Sequence, residues 1–132
     1  MKYMLLMQFS ERDNLPPIDT WPAEDVKAHI QFMYELNNEL TSAGELVSGE
    51  GLAEPDQARI VRARRGGAPV VTDGPFPETK EFLVGWWIVD VESHERAIEL
   101  AARISAAPGP DGRPLNMPIE VRQVMAGPPE EL

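Results

Sequence analysis

The sequence predicts an α+β fold, in which the order β-α-β-β-α-β of a ferredoxin-like domain carries an inserted β-hairpin. Two segments repeat apolar residues at steps of three and four, which is typical of amphipathic helices. Each of these segments lies between apolar stretches of strand length. The most hydrophobic stretch, residues 82–91, is apolar at both odd and even positions (both parities) and includes Trp86 and Trp87. It therefore predicts a central strand with both faces covered.

The first half of the chain is predicted to form a strand, a helix and a second strand. Residues 3–9 are apolar on both parities, and a loop with a Pro-Pro pair separates them from the helix. Thr20 or Trp21 is expected to cap this helix, with Pro22 in its first turn, and Gly44 is expected to end it. Its expected inward stripe is Val26, Ile30, Met33, Leu36, Leu40 and Ala43. Residues 45–52 predict a second strand, whose glycines weaken it or allow close approach of another segment.

The second half is predicted to form the hairpin, the central strand, a second helix and a last strand. Residues 58–64 and 69–72 are the expected arms of the hairpin. Ser93 is expected to cap the second helix, and residues 119–124 to form the last strand. The helix is expected to turn four side chains inward: Ala97, Leu100, Ala101 and Ile104. We expect a single domain over residues 1–125 and a C-terminal tail over residues 126–132.

The composition of the chain excludes or disfavours several classes of function. The chain has 132 residues, a net charge of −10 and no cysteine, which excludes disulfides and thiolate chemistry. The acidic balance argues against nucleic-acid and anionic-membrane binding, which need clustered Lys and Arg. Four arginines do cluster on the predicted hairpin. We interpret them as the solvent-exposed face of a strand rather than as a binding patch. Because no apolar run approaches ~20 residues, we expect a soluble, cytoplasmic protein.

The central strand also predicts the oligomeric state. Two helices can cover only one face of the sheet, yet both faces of the central strand are apolar. One carries Phe82, Val84, Trp86 and Ile88, and the other carries Leu83, Trp87, Val89 and Val91. A large apolar face is not left in water by a soluble protein. We therefore expect a homodimer in which two such faces pack together. The alternative is that the hairpin and the proline-rich loops fold over this face.

Ionisable groups concentrate in residues 72–81, immediately before the central strand. Asp73 would either bond its own backbone in an Asx-turn or present a catalytic carboxylate at a pocket. Glu78, Lys80 and Glu81 would either form surface ion pairs or bind a polar ligand and shift the pKa of a carboxyl group. Lys80 could stabilise developing negative charge. The remaining expected ligand-binding residues are Phe76, Trp86 and Glu50.

His29 is the other candidate catalytic residue. It lies three residues after Val26 and four before Met33, so it is either a satisfied core histidine or a general base facing a cavity. The chain has only two histidines, no cysteine and no paired His spacing, so no metal site is predicted. It also lacks dinucleotide and phosphate-loop fingerprints, so no cofactor is predicted.

Several segments resemble the DGPF-domain proteins of the YCII-related superfamily. The signature is Thr72-Asp73-Gly74-Pro75-Phe76 followed by Glu78-Thr79-Lys80-Glu81. Residues 2–6, 43–52 and 119–122 also match, so the resemblance spans nearly the whole chain. It implies a ferredoxin-like fold assembled as a dimeric α+β barrel. It also implies a bacterial protein of a group in which many members look like companions of extracytoplasmic-function sigma factors.

The wider superfamily resembles muconolactone-isomerase-like enzymes, and some of its members carry a His–Asp pair proposed as catalytic. His29 lies in the corresponding helix, but the flanking residues 27–30 do not reproduce the Arg-Pro-x-His context of those members. Asp111 is the only aspartate in the segment where the partner is expected, and its loop is unmatched. The resemblance therefore implies that Asp73, Glu78, Lys80 and Glu81 are the better site candidates.

Three functions follow from these observations. The first is acid–base chemistry (isomerisation, elimination or hydrolysis) on a small organic acid or lactone, with Asp73 or His29 moving the proton. The second is a non-catalytic ligand binder or regulatory companion that uses the same pocket. The third is a dimerising scaffold whose signature turn only fixes the edge of the sheet. Charge and composition do not rank the first two.

Overall fold

The computed structural model describes residues 1–10, 15–75 and 81–127. Its helices are α1 (Ala23–Ser42) and α2 (His94–Ser105). The strands are β1 (Lys2–Ser10), β2 (Leu46–Gly51), β3 (Arg59–Arg62), β4 (Val70–Asp73), β5 (Glu81–Asp90) and β6 (Ile119–Gln123). In this part of the chain, neither helix is long and apolar enough to cross a membrane.

Four strands form one antiparallel sheet in the order β2-β5-β1-β6, and β3 pairs with β4 in a separate two-stranded hairpin. The Trp86-Trp87 segment lies in β5, between β2 and β1, so the prediction of an interior strand is confirmed. The mixed α+β class and the inserted hairpin are confirmed as well. The near-continuous apolar runs of β1 and β5 suit the interior of the sheet, whereas the alternating sequence of β6 suits its edge.

The hydrophobic core lies between the two helices and one face of the sheet. Its largest fully buried side chains are Leu5 of β1, Val89 of β5, Leu40 of α1, and Leu100 and Ile104 of α2. Burying one such side chain contributes about 1.5–3 kcal/mol, so this layer supplies most of the cohesion. The inward stripe predicted for α2 is confirmed, and the Ser93 side chain accepts a hydrogen bond from the Arg96 backbone N–H at 3.1 Å.

Helix α1 departs from the prediction at its start and on its inward face. It begins at Ala23, and Pro22 occupies the N-cap position without a side-chain cap. Ile30 is 46% exposed, whereas the buried side chains of the helix are Leu36 and Leu40. The helix is therefore rotated so that His29, rather than Ile30, faces the sheet. Its end agrees with the prediction, because Gly44 adopts a left-handed conformation with φ of 72°.

A β-bulge in the β1–β5 pairing changes which side chains share a face. Met7 pairs with Gly85, but Gln8 pairs with Leu83, so Val84 is the extra residue. Val84 packs against the core and Trp86 does not, although strict alternation predicted that the two side chains share a face. That prediction was wrong because a bulge reverses the alternation on one side of it.

The other face of the sheet carries its own apolar rows. Met4 pairs with Ile88, and Leu6 pairs with Trp86. These four side chains alternate with the core residues of the same strands and do not belong to the core cluster. We call the surface formed by Met4, Leu6, Trp86 and Ile88 the open face.

An ion pair fastens α2 to the segment between α1 and β2. The Arg96 guanidinium donates two hydrogen bonds to the Glu45 carboxylate, at 3.0 and 2.9 Å, and both side chains are mostly buried. Hydrogen bonding and the positive charge of Arg96 hold the pKa of the Glu45 carboxyl below its usual range. Glu99, which is more exposed, also bonds the same guanidinium at 2.9 Å.

We predict that Glu45→Gln lowers the free energy of unfolding at pH 7 by about 1 kcal/mol, since it removes a charge-assisted bidentate contact. A depressed folded-state pKa stabilises the fold above the unfolded pKa, and this contribution is lost as the pH falls through the folded value. The deficit should therefore shrink by pH 3 in urea unfolding. The control, Glu99→Gln, should be close to neutral. A deficit that does not change with pH would contradict this assignment.

Candidate functional site

A cavity of about 340 Å³ lies between α1 and the sheet. The C-terminal half of α1 packs closely through Leu36 and Leu40, whereas its N-terminal half has no fully buried side chain. The cavity fills the resulting gap. The residues that line it are Met7, His29, Met33, Asn37, Leu46, Gly49, Glu50, Gly51, Val84, Gly85, Trp86 and Trp87.

Helix α1 presents three of these side chains in one row, His29, Met33 and Asn37. They are spaced four residues apart, so they lie one above another on the same side of the helix. His29 and Asn37 are separated by about 12 Å along the helix axis. The row therefore places two polar groups at the two ends of the cavity wall, with a thioether between them.

Two glycines form the facing wall. A Cβ atom on Gly49 would lie 3.0 Å from the Trp86 carbonyl oxygen, and one on Gly85 would lie 3.3 Å from the Glu50 carbonyl oxygen. The close approach of β2 and β5 thus depends on Gly49, which confirms one of the two roles predicted for the β2 glycines. The absence of side chains at both positions also leaves room for the cavity.

The orientation of the His29 imidazole is fixed by a loop. Its Nδ1 lies 3.0 Å from the Pro108 carbonyl oxygen, and its ring meets that of Trp21 edge-on at 5.6 Å. A carbonyl oxygen only accepts hydrogen bonds, so Nδ1 carries the proton. In the neutral ring Nε2 is then an unprotonated acceptor. No described residue bonds Nε2, and His29 lines the cavity.

A hydrogen bond also fixes the orientation of the Asn37 side-chain amide. The Trp87 indole N–H, which can only donate, bonds the Asn37 Oδ1 at 3.1 Å. The amide nitrogen of Asn37 is therefore a free donor as far as the described residues go. Helix α1 thus contributes one acceptor, at His29, and one amide donor, at Asn37.

The loop that orients His29 follows α2 and packs on the first turns of α1. Pro108 supplies the carbonyl for His29, and the Asp111 backbone N–H donates to the Asp25 carboxylate at 3.1 Å. Asp111 has a left-handed backbone, with φ of 60°. Among the described residues no carboxylate bonds His29, so this loop positions the imidazole through a backbone carbonyl.

The structure brings three of the predicted site residues together, since His29, Glu50 and Trp86 all line the cavity. Glu50 and Trp86 are cross-strand partners in β2 and β5, and alternation along the strands directs both side chains to the open face. They border the cavity through their backbone, since their carbonyl oxygens lie against Gly85 and Gly49. Glu81 instead lines a separate cavity of about 390 Å³, with Pro75 and Leu83. Three of the predicted residues, Phe76, Glu78 and Lys80, lie outside the described residues.

Asp73 lies at the end of β4 and is not brought into the His29 cavity. Its side chain is 93% exposed, and its carboxylate lies 3.4 Å from the Arg59 guanidinium across the hairpin. Exposed pairs of this kind contribute little to stability. The two proton-moving candidates, Asp73 and His29, therefore occupy different parts of the described chain.

Sequence reasoning missed Asn37, Met33 and Pro108 as parts of the site. The spacing of His29, Met33 and Asn37 was a usable signal, because polar residues eight positions apart share a helix face. The Pro108 contact carried no sequence signal, since it uses a backbone carbonyl 79 residues away. Within the described residues, no cluster of three or more His, Asp or Glu side chains could hold a metal ion.

The chain belongs to the YCII-related family. Residues 1–109 match the YCII-related domain, the family to which the DGPF signature of residues 73–76 also points. A protein of Rhizobium meliloti (strain 1021), described as uncharacterized, is 30% identical over 112 residues. The match covers 85% of this chain and 86% of that protein.

We predict that Gly49→Ala destabilises the protein by about 1–3 kcal/mol, because the new methyl group would press on the Trp86 carbonyl and push β2 away from β5. Gly51→Ala is the matched control on the same strand. No atom lies within 4 Å of a Cβ there, so we expect a change within about 0.5 kcal/mol. Chemical denaturation of both variants gives the comparison, and equal losses would refute the role assigned to Gly49.

Proposed function

We propose that this protein is a ferredoxin-like subunit of a homodimeric α+β barrel and that the His29 cavity binds a small organic molecule, on which His29 performs acid–base chemistry. The observation that supports this proposal most directly is the fixed tautomer of His29. Its Nδ1–H donates to Pro108, and the basic Nε2 is left for a ligand in a cavity of about 340 Å³. Pockets of this size accommodate small ligands.

The proposed reaction class is isomerisation, elimination or hydrolysis of a small organic acid or lactone. Nε2 would remove a proton from a carbon next to a carbonyl group, or from an attacking water. The imidazolium that forms keeps its Nδ1–H bond to Pro108 and can return the proton from Nε2. The Asn37 amide would donate to the oxygen on which negative charge develops. Asp73, Glu78 and Lys80 stay candidates by resemblance, but the geometry supports His29 most directly.

Non-catalytic binding in the same cavity is the alternative. It is favoured by one observation, namely that the described partner of Nδ1 is a neutral carbonyl rather than a carboxylate. A carboxylate at this position stabilises the imidazolium that general-base catalysis creates, and a carbonyl does so less. Binding without turnover would suit a ligand-responsive companion protein.

The proposed dimer rests on the open face. Met4, Leu6, Trp86 and Ile88 form two adjacent rows on the side of the sheet that the helices do not cover. A second copy supplies an identical surface, and a two-fold axis lets each row meet its equivalent. Burial of these side chains would favour association, because apolar patches of this kind are costly in water.

We predict that Ile88→Glu makes the protein monomeric, since it would place a charge in the centre of the apolar interface. Light scattering coupled to size-exclusion chromatography should change from twice 14.7 kDa to 14.7 kDa. The control is Ile98→Glu on α2, where the isoleucine is 48% exposed, and it should stay dimeric. A monomeric wild type would end the barrel proposal.

We predict that His29→Gln abolishes turnover in a panel of small carboxylic acids and lactones. His94→Gln, at the exposed start of α2, is the matched control and should not change turnover.

We predict that Asn37→Asp weakens ligand binding tenfold or more while preserving most of the stability of the fold, because it keeps an acceptor for Trp87 but loses the amide donor. Thermal shift measures ligand binding, and single-turnover assays measure the reaction. Ligand binding without turnover in the wild type would support the binder, and full activity in His29→Gln would refute the enzyme.

A further inference from the structure

A second cavity, of about 370 Å³, lies on the other side of His29. It shares three lining residues with the first one, Met7, His29 and Val84. Because they share these residues, the two cavities adjoin at His29, and a ligand that reaches past this side chain would occupy both. We call the cavity at Asn37 the polar lobe and the cavity at Trp21 the apolar lobe.

The lining of the apolar lobe is mainly hydrocarbon. Phe9, Leu15, Ile18, Leu115 and Met117 line it, together with Pro16, Pro17 and Pro55. The Trp21 indole N–H, its most evident donor, is already bonded to the Pro16 carbonyl at 2.9 Å. Trp21 therefore presents its ring to the lobe, and its edge-on contact with His29 places that ring beside the imidazole.

Among the described residues, the charged residues that line the two lobes are acidic. The charged residues in the described lining are Glu50 and Glu54, and it contains neither Lys nor Arg. Four arginines of the chain, Arg59, Arg62, Arg64 and Arg65, belong to the hairpin region instead and are not in the lining. The chain as a whole carries a net charge of −10. An anionic ligand would thus lose hydration without gaining a described cation as partner.

We propose that the cavity takes an uncharged, elongated ligand, with a carbonyl-type end in the polar lobe and an apolar ring or chain in the apolar lobe. This inference rests on the proposed function and narrows its substrate class, from organic acids or lactones in general to uncharged compounds with an apolar substituent. Asn37 donates to the carbonyl oxygen, His29 lies at the junction, and Trp21 packs against the apolar part.

Three stable probes separate the two features of this ligand. 4-Phenylbutanamide has both the uncharged polar end and the ring, 4-phenylbutanoate replaces the amide by a carboxylate of the same shape, and butanamide lacks the ring. The three Trp indole N–H signals, assigned by Trp→Phe variants, report binding by NMR titration. We expect 4-phenylbutanamide to bind about tenfold or more tightly than either of the others, and to shift the signals of both Trp21 and Trp87.

Trp21→Ala should remove most of the advantage of 4-phenylbutanamide over butanamide, and Trp21→Phe should retain it, since the phenyl ring restores the apolar wall. Equal or tighter binding of 4-phenylbutanoate, or no gain from the ring, would overturn this inference and leave the proposed function standing. If none of the probes, and none of the acids and lactones of the wider panel, perturbs the Trp87 signal, both proposals fail. A Trp21→Ala protein that unfolds would be replaced by Ile18→Asp, which makes the same lobe polar.

Discussion

The contact between α1 and the sheet determines the rest of the structure. Leu36 and Leu40 bury the C-terminal half of the helix against the core, while its N-terminal half leaves the gap that becomes the cavity. A helix is stiff over this length, so close packing at one end fixes the position of the other end. His29, Met33 and Asn37 are therefore held over the sheet by two leucines that do not line the cavity.

The site also joins parts of the chain that are distant in sequence. Pro108, in the loop after α2, orients His29 of α1, and Trp87 of β5 orients Asn37 of the same helix. In each bond one partner can only donate or only accept, so the polarity of the other partner is imposed. The backbone of a loop and the indole of a strand thereby determine which atoms of α1 face a ligand.

Local signals allowed much of the fold to be predicted from the sequence. The Ser93 cap, the left-handed Gly44 and the stripe of α2 each depend on neighbours within a few residues. The inward orientation of Val84 depends on a bulge in pairing with β1, and the position of Asp73 depends on how the hairpin lies against the sheet. These are tertiary properties, so residue patterns could not predict them. His29 was a candidate from its spacing alone, but its tautomer required the Pro108 contact.

Three methionines, Met7, Met33 and Met117, lie in the walls around His29. Thioether side chains are unbranched and polarizable, so they can follow the outline of different molecules at small cost. Peroxide that reaches these sulfur atoms through the cavity would convert each of them into a polar, chiral sulfoxide. Oxidative stress would thus alter the lining of this cavity directly, and reductive repair of the sulfoxides would restore it.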